Sequence, residues 1–289
     1  MVAEPQARAR SGVLYLVATP IGNLEDITLR ALRVLKEADV VACEDTRQTQ
    51  KLLQHYGIRK QLVSYHEHNE LTRAAELVIE MEQGAHVALV SDAGMPLISD
   101  PGHRLVALCL RHNLPVIPVP GPSAFVAALA ASGLPVDEFL FVGFLPSRGG
   151  ERRRALGKLS GEMRTLVFYE APHRLLDTLR DTLTVLGNRP AAVARELTKL
   201  HEEIHRDTLD HLIGHLQVRP PRGEITLLIG PPAEPPSAAL RAINISLGAR
   251  VEEIMREQGV DHKAALKQAA KERGLTKRAA YQQFLEHKK

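Results

Sequence analysis

Short apolar runs of β character recur along the first 230 residues, with a helical pattern after most of them. That alternation admits little besides a layered α/β architecture. Residues 13–18 form a nearly continuous apolar run ending at Thr19-Pro20, which reads as a buried strand. Leu29, Leu32, Val34, Leu35 and Ala38 follow at helical spacing. Residues 40–43 and 62–64 read as further strands around a helical stretch at 46–55. Residues 71–83 are amphipathic, with Leu71, Ala74, Ala75, Val78 and Ile79 on one face and Glu76 and Glu80 opposite. A strand at 86–90, a helix near 102–112 and a strand at 116–119 complete a first α/β domain, 12–122, with a largely parallel sheet. The polar segment 1–11 is expected to be disordered.

A second series of strands at 140–144, 165–169, 192–194 and 225–229 is interleaved with helical patterns at 151–159, 174–186 and 209–217. It predicts a second α/β domain, 123–230, entered through a helix at 123–132. The Pro-rich segment 231–238 reads as a stiff linker. Beyond it, patterns at 239–257, 262–273 and 276–286 predict a small helix-turn-helix-like module, 239–289. At 289 residues, 44% of them hydrophobic, the chain can bury such cores without disulfides or metal.

Chemistry is expected in the loops that follow strands, because open α/β sheets bind ligands at strand carboxyl ends. The loop 19–28 carries Pro20 and Gly22 but matches neither GxGxxG nor the Walker pattern, which weighs against standard dinucleotide and NTP sites. The loop 91–102 packs Asp92, Ala93, Gly94, Pro96 and Ser99 into a stiff backbone wall suited to a polar small molecule. At 118–124 a third rigid loop leads to Ser123 and Ala124, where helix-start amides can hold a carboxylate. Asp45 and Arg47 sit at the end of the second strand. Tyr169, Glu170, His173 and Arg174 follow another, and Lys199 follows the next. His66-Glu67-His68 lacks HExxH geometry, so no metal is expected. Cys43 and Cys109 are too far apart in sequence for a CxxC motif, and no GxSxG elbow is present.

The motifs Leu14 to Leu24, Cys43-Glu44-Asp45-Thr46-Arg47, His66-Glu67-His68-Asn69-Glu70, Val90-Ser91-Asp92-Ala93-Gly94, Pro120 to Ala124, Phe168-Tyr169-Glu170 with His173-Arg174, and Ala194 to Lys199 together resemble the tetrapyrrole methylase superfamily. Within it, they look like the branch acting on small-subunit ribosomal RNA. The resemblance covers residues 12–230 and extends weakly into the tail. It implies two α/β domains with a cleft between them, a homodimer without metal, and S-adenosyl-L-methionine as cofactor. The implied reaction is methylation of a cytidine ribose 2′-hydroxyl in the decoding region of 16S rRNA. The polar start of the chain and the absence of an apolar run of about 18 residues give the separate expectation of a cytoplasmic protein. In porphyrinoid-modifying members the stretch matching Gly94 to Gly102 carries a Gly-Asp-Pro core. Met95 stands at that Asp here, which disfavours a tetrapyrrole substrate.

Carried onto these residues, the cofactor would be held by Pro20, Gly22, Asp92, Ala93, Gly94, Pro96, Ser99, Ser123, Ala124, Tyr169 and Glu170. A ribose hydroxyl needs a proton acceptor or an alkoxide-steadying cation, expected from Glu170 or Asp45 and from Arg47 or Lys199. Charge is uneven along the chain. From Ser237 onward there are 11 Lys or Arg against 6 Asp or Glu, whereas the remainder is net −2. The basic tail, with Lys263, Lys277 and Arg278, is therefore expected to contact RNA phosphates, together with Arg152, Arg153, Arg154, His173 and Arg174. Two alternatives keep the fold: a methyltransferase acting on a small tetrapyrrole, and a non-catalytic ligand-sensing regulator that binds nucleic acid.

Overall fold

A computed structural model describes residues 11–219, 221–232 and 247–272. Most of segment 1–11, most of the linker, the pattern at 276–286, and Lys277 and Arg278 lie outside the described residues. The chain divides into two compact units. One comprises Met1–Ser132, Val193–Ile204 and Gly223–Thr226, and the other comprises Gly133–Ala192, His205–Arg222 and Leu227–Lys289.

In the first unit the elements run β1 (Leu14–Val17), α1 (Leu29–Glu37), β2 (Val40–Cys43), α2 (Thr46–His55), β3 (Gln61–Ser64), α3 (Glu70–Glu82), β4 (Val87–Val90), α4 (His103–Arg111), β5 (Val116–Val119) and α5 (Ala124–Ala131). The strands form a parallel sheet of order β3-β2-β4-β1-β5. Strands β2 and β4 are buried at every position, because helices cover both faces. On one face Ala31, Val34 and Leu35 of α1 and Leu53 of α2 pack on Val17, Val41 and Ala88. On the other, Ala74, Leu77 and Val78 of α3 and Leu105 of α4 pack on Leu14, Ala42 and Leu89. Strand β1 connects toward β2 across one face, and its neighbour β4 connects toward β5 across the other. The switch point of the sheet therefore lies between β1 and β4.

The second series runs β6 (Phe139–Phe144), α6 (Gly149–Gly157), β7 (Thr165–Glu170), α7 (Leu175–Leu186), β8 (Pro190–Arg195), β9 (Glu203–Thr208), α8 (Leu209–Val218) and β10 (Ile225–Ile229), in a sheet of order β6-β7-β10-β8-β9. Strands β6 and β7 are parallel. Strands β8 and β10 are antiparallel, since Gly230 donates to Pro190 at one end and Glu196 to Glu224 at the other. Strand β9 has no counterpart in the sequence expectation. It is a polar edge strand with no fully buried residue, so it leaves no apolar run to read.

The first compact unit runs on through α5 to Ser132. The turn before α5 is tied to β1, where a Cβ at Gly121 would lie 2.9 Å from the Ala18 Cβ. Residues 193–204 and 223–226 also group with the first unit. Near the C-terminus, α9 (Leu247–Gln258) and α10 (His262–Glu272) form a hairpin with its own core of Leu247, Val251, Ile254, Ala265, Ala269 and Ala270. Among the described residues, no helix is long and apolar enough to cross a membrane.

Candidate active site

The first unit brings its expected loops together at the β1/β4 switch point. Thr19 and Gly94 form an antiparallel bridge, with Thr19 N donating to Gly94 O (2.9 Å) and Gly94 N donating back to Thr19 O (3.1 Å). The Thr19 hydroxyl donates to Ser91 O at 3.0 Å, and the Ser91 hydroxyl to Gly94 O at 3.0 Å. Both hydroxyls are buried, so these bonds fix the loop after β4 onto the loop after β1. Gly94 sits at φ +84°, a conformation that favours glycine. Leu97 (φ +73°) and Ser99 (φ +67°) hold left-handed backbone without that freedom, so the loop stores strain. Pro20 and Pro96 are buried beneath this surface, while Gly22, Asp92, Ala93 and Ser99 are exposed on it. Ser123 caps α5 in extended conformation without a side-chain bond to the helix start.

Carboxylates gather at the same sheet edge. Asp92 Oδ1 accepts from Asp45 N at 3.3 Å. Burial, reinforced by the Glu44 and Asp92 charges, pushes Asp100 up to about 6. Burial and then the Asp92 and Glu67 charges raise Glu44, and partial desolvation raises Asp92, whose side chain is still open to solvent on one side. Asp100 and Glu44 were not among the expected binding residues. Their signal was present in the quoted loops, but only the fold shows that the ends of β2 and β4 converge.

Asp45 is a poor proton acceptor. It is drawn down to about 2 by the hydrogen bond from the Arg47 side chain and then by the Arg47 backbone amide. Arg47 itself is 85% exposed. Lys199 belongs to the first unit as well, and its stem crosses the β1 loop so closely that a Cβ at Gly22 would lie 2.5 Å from the Lys199 Cγ. Its ammonium is held by Glu196 (2.9 Å) and Glu224 (3.0 Å). Those bonds outweigh burial and raise its pKa, so the group stays a cation.

In the second unit, Glu170 departs from the expected base. Its carboxylate is fully buried and occupied: Ala171 N donates at 2.8 Å, Thr178 Oγ1 at 2.6 Å, and the Arg174 guanidinium lies 3.1 Å away. Arg174 in turn donates to Leu145 O at 2.6 Å. A carboxylate filled in this way positions its neighbours rather than accepting a substrate proton. Tyr169 lies on the opposite side of β7, and His173 is exposed.

Two of the expected phosphate contacts are corrected by burial. Arg152 has only 6% of its side chain exposed and is spent on Asp181 (2.7 Å) and Ser147 O. Arg174 is spent on Glu170 and Leu145. Arg153 and Arg154 remain exposed, as does Lys263 on α10. The His66 and His68 rings lie 5.8 Å apart, and no group of three metal-ligating side chains occurs among the described residues.

Residues 13–213 match the family described as Tetrapyrrole (Corrin/Porphyrin) Methylases. The chain belongs to that family. Relatives named ribosomal RNA small subunit methyltransferase I match nearly end to end. That of Halalkalibacterium halodurans is 49% identical, covering 96% of each chain, and that of Escherichia coli O157:H7 is 45% identical, covering 99% of each. The relative from Thermotoga maritima is 51% identical over 218 residues, 75% of this chain and 98% of its own.

Among solved structures, diphthine synthase superposes with a TM-score of 0.60 at 14% identity, covering 76% of this chain and 90% of its own. Uroporphyrin-III C-methyltransferase from Thermus thermophilus, complexed with S-adenyl homocysteine, gives 0.53 at 24% identity, covering 75% and 97%. These structures share the fold.

Proposed function

We propose that this family member is an S-adenosyl-L-methionine-dependent methyltransferase acting on the ribose 2′-hydroxyl of a cytidine in the decoding region of 16S rRNA. The observation that carries the reading is the hydrogen-bonded junction of the Thr19 and Gly94 loops at the switch point, ringed by Glu44, Asp92 and Asp100. The relatives' names supply the substrate class.

The residues present fit the donor. Asp92, Asp100 and Glu44 repel one another, and a sulfonium cation placed among them relieves that repulsion. The start of α5 at Ser123 offers amides for the donor's carboxylate. Once bound, S-adenosyl-L-methionine supplies an already activated methyl group. The protein then has to orient the ribose oxygen, exclude water and handle one proton. Lys199, held charged against the β1 loop, steadies developing negative charge on the ribose oxygen, and Arg47 holds a neighbouring phosphate. Glu170 and Arg174 set the ends of β6 and β7. The exposed Arg153, Arg154 and Lys263 add phosphate contacts, and the substrate is the RNA within the small ribosomal subunit. The chain acts as a homodimer in the cytoplasm and uses no metal.

Incubation with small ribosomal subunits and methyl-labelled S-adenosyl-L-methionine tests this. The label is expected in 16S rRNA at a phosphodiester linkage that resists alkaline hydrolysis, as 2′-O-methylation requires. Label in a base, in protein, or nowhere would overturn the reading.

A further inference from the structure

Strand β6 carries an irregularity that its amino-acid pattern does not announce. Phe141 pairs with Val167, but Gly143 pairs with Phe168 and Phe144 with Tyr169, so Val142 is an extra residue in the ladder. Bulges are uncommon between parallel strands, and they re-aim side chains beside functional sites. Gly143 takes φ +76° at this point, which any residue with a side chain would adopt only under strain. In an unbroken strand Phe141 and Phe144 would face opposite sides, because their separation is odd. The bulge reverses that parity, and both rings meet Tyr169, at centroid distances of 5.2 Å and 5.6 Å. Phe144 nonetheless stays 56% exposed, at the carboxyl end of its strand.

The surroundings say what such a ring faces. Glu170 follows Tyr169 and Leu145 follows Phe144. Arg174 bridges the two, pairing with the Glu170 carboxylate and donating to the Leu145 carbonyl, so the strand ends are pinned together. Five residues beyond Phe144, α6 begins; Arg148 just before it and Arg153 within it are exposed by 83% and 54% of their side chains. Arg148 lies 3.5 Å from Glu151 and Arg153 shares the Asp181 carboxylate with Arg152, so three arginines meet two carboxylates and this end of the helix is left net positive. A half-exposed aromatic ring followed within one short turn of chain by exposed guanidinium groups suits single-stranded RNA, whose bases stack on rings while its phosphates pair with arginine.

We propose that Phe144, backed by the Tyr169 ring, forms a stacking platform for one nucleobase of the RNA substrate, with Arg148 and Arg153 receiving the adjoining phosphates; on this reading Tyr169 supports the RNA rather than the cofactor first expected of it. The platform rests on the RNA-methyltransferase reading above and assigns to that reaction a residue that positions the substrate.

The test compares full-length wild type with Phe144→Ala, Phe144→Leu and Phe144→Trp in methyl transfer to small subunits. Alanine and leucine are expected to raise the KM for subunits about tenfold, and tryptophan to restore it, because stacking needs a π face. The dissociation constant for S-adenosyl-L-methionine and the thermal midpoint should stay at wild-type values in all three. An unchanged KM in Phe144→Ala would overturn the platform, as would full rescue by leucine. Conversion of a dimer to a monomer by Phe144→Ala would assign the face to a second copy of the chain and overturn it too. A wild type that leaves RNA unlabelled sinks the functional reading itself. A labelled wild type with an indifferent Phe144→Ala sinks the platform alone.

Discussion

At the scale of single residues, environment sorts the carboxylates into different jobs. Burial and the neighbouring Glu44 and Asp92 charges lift Asp100 from an ordinary 3.8 to about 6, so the folded chain keeps a proton that the unfolded chain releases. Native protein binds more protons between those values, and stability therefore falls as pH rises from about 4 to about 6 and is level above. Asp100→Asn removes that loss. Its thermal midpoint should exceed wild type at pH 7 and converge with it near pH 4, as scanning calorimetry would read. A cation bound in the same cluster favours the ionised form, so S-adenosyl-L-methionine affinity should rise as pH increases through about 6. Titration calorimetry at pH 5 and 7.5 checks this, and the dependence should vanish in Asp100→Asn.

Glu170 belongs to the opposite case. Removing a buried partner strands the Arg174 charge, so Glu170→Ala should cost about 3 kcal/mol of stability in denaturant unfolding. Because the strand ends then separate, the KM for subunits should also rise.

At the scale of elements, the alternating pattern made most strands and helices legible, including both sheets' central strands, which are apolar because helices cover them. Two elements escaped. Strand β9 is polar and lies at an edge, so burial imposes no pattern on it. The β6 bulge escaped because a run such as Phe139 to Phe144 is apolar on both sides, and no periodicity marks where one residue leaves the ladder. The α9–α10 hairpin buries its own small core. Val251→Asp should unfold that hairpin, lowering far-ultraviolet helical signal and RNA affinity while leaving S-adenosyl-L-methionine affinity unchanged.

At the scale of the molecule, a net-negative body carries a net-positive tail. Deleting residues after Pro236 removes 11 basic and 6 acidic side chains. RNA binding should weaken and the slope of log affinity against log salt should become shallower, because fewer counterions are released on binding. Filter binding at several salt concentrations reads both quantities. Affinity and slope equal to wild type would assign RNA contact to the α/β units alone.

Sequence determined what local chemistry and periodicity can encode: two α/β series, the stiff loops at strand ends, the motifs of the methylase family and the asymmetry of charge. Burial and partnership are non-local, and only the tertiary structure decided them. It filled the Glu170 carboxylate, buried Arg152 against Asp181 and brought Asp100 into the electrostatic reach of Glu44. It also turned Phe144 toward Tyr169, through a single residue left over when two strands were laid side by side.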